Sequence, residues 1–149
     1  MSLKTIERPA QTVIGMNIRT KPMSPEIPAL WPKFVARIPE IQNPSEPRVS
    51  YGVMRDEGDA LNYMAAVSVA EAGRVPQGME SFIIPSGTYA VFRYPLSGLG
   101  EGFGEIFKRL LPSSDFVQKP GPLLERYDES FDPRDPNSAV EICIPARRK

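Results

Sequence analysis

Histidine is absent from this chain of 149 residues, and cysteine occurs once, at Cys143. Without histidine there is no Ser-His-Asp or Cys-His nucleophile, and most zinc sites are excluded. Any catalysis would have to use carboxylates, tyrosines, lysines or water. A single cysteine forms no internal disulfide, so a reducing, cytoplasmic setting is expected. Net charge is also missing, because 18 Lys and Arg balance 18 Asp and Glu. Direct nucleic-acid binding, which rests on an excess of phosphate-neutralising cations, is therefore not expected. No segment approaches the ~20 apolar residues of a membrane span. The opening MSLKTIERPAQ has no apolar core of a signal peptide. Cofactor and metal motifs are lacking too. GLGEGFG (98–104) has no phosphate-loop lysine and does not fit the dinucleotide fingerprint, and RDEGD (55–59) has too few ligands for a calcium loop and reads as a solvated turn. The basic tail Ala146–Lys149 reads as solvated.

What remains is 41% hydrophobic and 24% charged, the make-up of one soluble globular domain over residues 1–149. The 17 prolines are scattered and mark many short elements separated by stiff turns. Alternating, β-branched segments predict strands at 11–19, 48–56, 60–70, 86–94, 122–128 and 138–146, with a short extended piece at 78–84. That last piece could offer an exposed edge for pairing between chains. A helix is predicted over 24–38, with Ile27, Leu30, Trp31, Phe34 and Ile38 at helical spacing, Ser24 able to cap and Pro25 in the first turn. Pro32 implies either a kink or a regular helix that begins near it. A second helix is predicted over 98–112, with Leu99, Phe103, Ile106, Phe107, Leu110 and Leu111 on one face, a first turn frayed by glycines 100, 102 and 104, and a stop at Pro112. Strand–helix–strand–strand thus occurs twice. Two such units joined edge to edge give an α+β fold, with one antiparallel sheet, two helices packed on it and a groove where the halves meet.

One carboxylate stands out. In PLLERYDESFDP (122–133), strand alternation puts Leu123, Glu125 and Tyr127 on one face and Leu124 and Arg126 on the other. If Leu123 and Tyr127 face the interior, Glu125 does as well. The residues alone leave alternatives open: an exposed strand face, a pairing with an arginine such as Arg93 or Arg19, or a buried acid. Phe34, Phe103 and Phe107 read as core. Trp31 and the tyrosines carry a polar edge that suits a partly open site. Met54 and Met64 are either deformable lining or core filler.

GTYAVF, a helix ending in LLP, LLERYDESFDP and VEICIP, preceded by ERPAQTVIGM, IPALWPKF, SYGVMRDEG and NYMAAVSV, together resemble the bacterial GyrI-like or AraC-type effector-binding domain over residues 5–147. The resemblance implies a pseudo-two-fold pair of such units with a ligand groove between the helices and the sheet. It also implies ligands that are hydrophobic, planar organic cations, attracted by Glu125. Trp31, Phe34, Tyr51, Tyr63 and Tyr89 are the candidate aromatic walls. Cys143 stands where relatives often carry an aromatic residue, which would leave that wall roomier. Relatives often carry a DNA-binding segment, for which this chain has no room, so a stand-alone sensor or sequestering domain is expected. It would use no cofactor, and could dock on a transcription regulator or on gyrase. An alternative is hydrolysis of cyclopropane-containing toxins, with Glu125 as general base and Tyr89 or Tyr63 polarising the substrate. In the binding case, a carboxylate in an apolar cleft without a partner is costly when the site is empty and complementary to a cation when it is filled.

Overall fold

The computed structural model describes residues 3–149; the first two residues of the opening segment lie outside it. The chain forms strands β1 (Thr5–Arg8), β2 (Gln11–Thr20), β3 (Ser50–Glu57), β4 (Ala60–Val69), β5 (Glu80–Ile84), β6 (Gly87–Pro95), β7 (Phe116–Gln118), β8 (Leu123–Tyr127) and β9 (Ala139–Arg148). Helix α1 (Glu26–Val35) follows β2, and α2 (Leu99–Glu105) follows β6. The strands form one antiparallel sheet in the order β1-β6-β9-β8-β3-β4-β2-β5, with β7 paired to the end of β9. The predicted duplication is visible in that order. β2-α1-β3-β4 and β6-α2-β8-β9 form equivalent halves, and β3 meets β8 at the seam. Only Pro85 and Ser86 separate β5 from β6, although the two strands lie near opposite ends of the order. Ile84 and Gly87 are therefore at most roughly 11 Å apart, and the sheet must curl.

The curl gives the sheet two different faces. One encloses Val13, Tyr51, Val53, Met64, Ile84, Tyr89, Leu124 and Cys143. The other carries both helices. Over one half, Leu30 and Phe34 of α1 pack on Ile14, Leu61, Tyr63, Ala65 and Val67. Over the other, Ile106 and Leu111 pack on Ile142 and Ile144, with Leu99 and Phe103 at the margin.

Helix α1 begins well before Pro32, so the helix does not start at that proline. The amide that Pro32 lacks would have bonded the carbonyl of Pro28, which leaves that one turn without its bond. The N-cap position falls on Pro25 rather than on Ser24, which stands one residue earlier and accepts the Glu26 amide on its Oγ at 3.1 Å. The second helix departs further from expectation. Its glycine-rich start is regular rather than frayed, because Gly102 lies against the Tyr94 ring, where a Cβ would stand 2.7 Å from the ring carbon Cγ. The segment Ile106–Leu110 widens into a π-helix, with the Leu111 amide on the Ile106 carbonyl. One extra residue per turn rotates the face, and Phe107, expected in the core, is left 36% exposed. The basic tail is less free than its composition suggested: Arg147 and Arg148 extend β9 against β7, and Arg148 stacks on Phe116. The edge piece forms β5 on β2, with Ile83 exposed. No helix among the described residues is long and apolar enough to cross a membrane.

Candidate functional site

Glu125 lies at the seam between the halves, on the helix-bearing face. Its cross-strand partners are Gly52 on β3 and Ile142 on β9. Gly52 in turn opposes Ala65, and Met54 opposes Tyr63, so Tyr63 rises on the same face as Glu125. A Cβ at Gly52 would stand 2.4 Å from the Tyr63 hydroxyl oxygen and 2.7 Å from Glu125 Oε1. Only glycine leaves the space in which phenol and carboxylate meet.

They meet closely. The Tyr63 hydroxyl donates to Glu125 Oε1 at 2.7 Å, and the Tyr127 hydroxyl donates to the same oxygen at 2.8 Å. The Trp31 indole N–H donates to the Tyr63 oxygen at 3.0 Å. Aromatic rings close over this chain edge to face. Trp31 lies 5.2 Å from Tyr127 and 6.1 Å from Phe34, and Tyr127 lies 4.7 Å from Phe131. Phe131 comes from the loop after β8, where Asp128 accepts both the amide and the hydroxyl of Ser130, and the Phe131 amide bonds the Asp128 carbonyl. Glu125 is left 7% exposed.

The acid is therefore buried but not unpartnered, which corrects the expectation of a bare carboxylate. It is not held by an arginine either: Arg19 pairs with Glu57 and Arg93 with Glu141. Burial pushes the Glu125 carboxyl above its ordinary range, and the hydrogen bonds from Tyr63 and Tyr127 oppose that only in part. Burial and the neighbouring Glu125 charge hold both phenols well above their usual value, so they act as donors at neutral pH.

Of the sequence candidates, the fold brings together Glu125, Tyr63, Trp31 and Phe34. Phe34 is fully buried beneath Trp31 and shapes the floor from below. Tyr51, Tyr89 and Cys143 do not join them, because all three stand on the enclosed face across the sheet. Tyr51 hydrogen-bonds Glu46 and Arg8, and Tyr89 donates to the Pro85 carbonyl. Glu125 and Tyr89 thus share no site. Met64 is core on that same enclosed face, whereas Met54 packs on the α1 side. Tyr127, Gly52 and Phe131 belong to the cluster but were not among the candidates. Tyr127 was within reach, two residues from Glu125 on one strand. Phe131 lies in a loop whose sequence carries no periodic signal.

Two open cavities lie away from this cluster. One of about 490 Å³ is lined by Glu40, Gln42, Arg74 and Pro76, and a shallow one of about 570 Å³ runs along α2 beside Glu101, Glu105 and Arg109.

Comparison with known proteins agrees with this architecture. The chain is 36% identical to the transcriptional regulator BrlR of Pseudomonas aeruginosa, in a match that covers 97% of this chain and 55% of that protein. The chain thus spans about half the length of that curated relative. Among solved structures, SAV2435 bound to tetraphenylphosphonium matches with a TM-score of 0.79 at 16% identity, covering 99% of this chain and 94% of that one. The C-terminal domain of EcmrR matches with a TM-score of 0.75 at 13% identity, covering 99% and 98%. At such identities these two likenesses speak for the fold. The model of the GyrI-like small molecule binding domain matches residues 1–147, and the chain belongs to that family.

Proposed function

We propose that this domain binds hydrophobic organic cations, with Glu125 as the charge that attracts them and Trp31, Tyr127 and Phe131 as the rings against which they rest. The observation that carries this reading is a buried carboxylate with no Lys or Arg contact among the described residues, whose surroundings are phenols and aromatic edges. Burying such a charge without a cation costs several kcal/mol. A cation on the ring faces gains ~0.5–2 kcal/mol per contact and relieves that cost. Because Glu125 is 7% exposed, a guest of any size reaches it only when a covering ring moves aside. Trp31 and Phe131 are the candidates, one on a proline-interrupted helix and one on a loop. That SAV2435, alike in fold, was solved with tetraphenylphosphonium supports this ligand class. Kinship with the transcriptional regulator BrlR supports a role in sensing, with a regulator's remaining machinery as partner.

Trp31 is the only tryptophan and sits in the cluster, so its fluorescence reports occupancy directly. Titration with tetraphenylphosphonium and with the neutral triphenylphosphine oxide tests the reading, in the wild type and in Glu125→Gln. The cation is expected to bind the wild type more tightly than the neutral compound, and to lose about ten-fold or more in the variant, the scale of a lost charge-assisted contact. Equal binding of both compounds by both proteins would refute it.

A further inference from the structure

The two oxygens of Glu125 are not equivalent. Oε1 accepts both the Tyr63 and the Tyr127 hydroxyl, and a Cβ at Gly52 would stand 2.7 Å from that same oxygen. A carboxylate oxygen offers about two lone-pair directions, so Oε1 has no acceptor capacity left. Oε2 accepts no hydrogen bond from any described residue. The enclosed polar side-chain atoms without a partner are Arg8 Nε and Arg55 Nε, so Oε2 is not sealed in; it lies at the part of Glu125 that still reaches solvent. The site therefore presents one unpaired acceptor at the edge of its aromatic cover, reached by a guest once a covering ring moves aside.

From this we infer that the cation accepted at Glu125 carries a hydrogen on its charged centre: a protonated amine or amidinium with an aromatic body, in preference to a fully substituted ammonium or phosphonium of equal size. The inference rests on the cation reading above and sharpens it. An N–H donor reaches Oε2 at hydrogen-bond distance and completes the partners of the carboxylate. A centre wrapped in alkyl or aryl groups supplies charge but leaves Oε2 unpaired after the rings have closed over it. Sites built around a hydrogen bond discriminate strongly against analogues that cannot make it, because the buried protein group is then stranded. The phenols are already committed as donors to Oε1, so neither turns towards Oε2 without giving up its own bond.

A matched pair of ligands decides the question. N-methyldibenzylamine, in its protonated form, and its quaternary counterpart dibenzyldimethylammonium share the dibenzyl body and the charge, and differ in that a methyl replaces the N–H hydrogen. Dissociation constants for both are measured by Trp31 fluorescence and by calorimetry, on wild type and on Glu125→Gln. The protonated amine is expected to bind the wild type about ten-fold or more tightly than the quaternary ion, with the gap closing in the variant. If the two bind the wild type equally, or the quaternary ion binds better, the donor preference is wrong. If both still weaken in Glu125→Gln, the cation reading survives that loss, and if neither depends on Glu125, both ideas fall together. Failure of both ions to bind the wild type at millimolar concentration also overturns the preference. The wild-type comparison stands without the variant.

Discussion

Replacing Gly52 with alanine places one methyl group where Tyr63 and Glu125 meet. The new Cβ would lie 2.4 Å from the Tyr63 oxygen, 2.9 Å from its Cζ and 2.7 Å from Glu125 Oε1, all closer than real Cβ contacts come. Strand β3 cannot retreat, because Gly52 is laced to Ala65 on one side and Glu125 on the other. The Tyr63 ring is hemmed in by Trp31 and the α1 core. What yields is the hydrogen bond between phenol and carboxylate. Losing a bond to a charged acceptor costs about 1.5–3 kcal/mol, and overfilling a packed site a further ~1–3 kcal/mol. Alanine returns about 0.4–1 kcal/mol by stiffening the unfolded chain. The net expectation is a loss of about 2–5 kcal/mol, a large share of the ~5–15 kcal/mol of an ordinary domain. Urea unfolding followed by Trp31 fluorescence measures it. A double-mutant cycle with Tyr63→Phe isolates the cause: without the hydroxyl, Gly52→Ala should cost at least ~1 kcal/mol less, since contacting residues couple on that scale. A change within ~0.5 kcal/mol of wild type, the range of an indifferent surface site, or strict additivity in the cycle would refute this account of the glycine.

Three further outcomes follow from the structure. Affinity for a permanently charged cation such as tetraphenylphosphonium should fall on acidification. A cation favours ionised Glu125, whose pKa burial raises above 4.5, so binding is full above the raised value and is lost as pH falls through it, starting at a higher pH than an exposed carboxylate would give. The free protein should show the converse: the Glu125 contribution to stability is fullest below the unfolded pKa and declines as pH rises through the folded one. Glu125→Gln should flatten both profiles, and a binding midpoint at or below the ordinary carboxylate range would contradict the burial argument. On the other face, Cys143 is 1% exposed and burial pushes its thiol up to about 11. A thiol reagent should therefore label the native protein at least ~100-fold more slowly than the urea-unfolded chain, as expected for a thiol short of both thiolate and access; fast native labelling would place the sulfur at the surface.

Seven of the nine strands, both helices and their duplicated order were legible in the sequence because alternation and helical spacing are strong signals over such lengths. Short β1 and β7 carry too few residues to alternate visibly, and the π-turn at Ile106–Leu110 leaves no trace in composition. Site residues were legible only where parity applied within one strand. Glu125 and Tyr127 share a face by spacing alone, so Tyr127 could have been included. Tyr51 and Tyr63 differ because β3 and β4 are registered with Gly52 against Ala65, a fact about pairing that neither strand states by itself. Residue type suggested both tyrosines, and register retained one.

Register also explains why Glu125 has no cation of its own. Arg126 is its neighbour in sequence, yet alternation sends that guanidinium through the sheet to the enclosed face, where it pairs with Glu141 at 3.1 Å and approaches Glu46 at 3.5 Å. Glu46 also accepts from Tyr51, Ser68 and Gln11, and although burial pushes its carboxyl up, these bonds and Arg126 hold it below the usual range. The two glutamates thus have opposite shifts: Glu46 is less buried and is held down chiefly by the Tyr51 and Ser68 hydroxyls, with Arg126 adding to them, whereas burial dominates at Glu125 and only two phenols oppose it. A slip of one residue between β8 and its neighbours would exchange the faces, giving Glu125 to the arginine-rich side and Arg126 to the aromatic cluster. The fit of Leu124 against Val53 and Cys143 in the core forbids that slip, since it would drive a charge into the enclosed cluster. Core packing on one face is therefore what keeps the acid on the other face without a positive partner, in the state that a cationic ligand would complete.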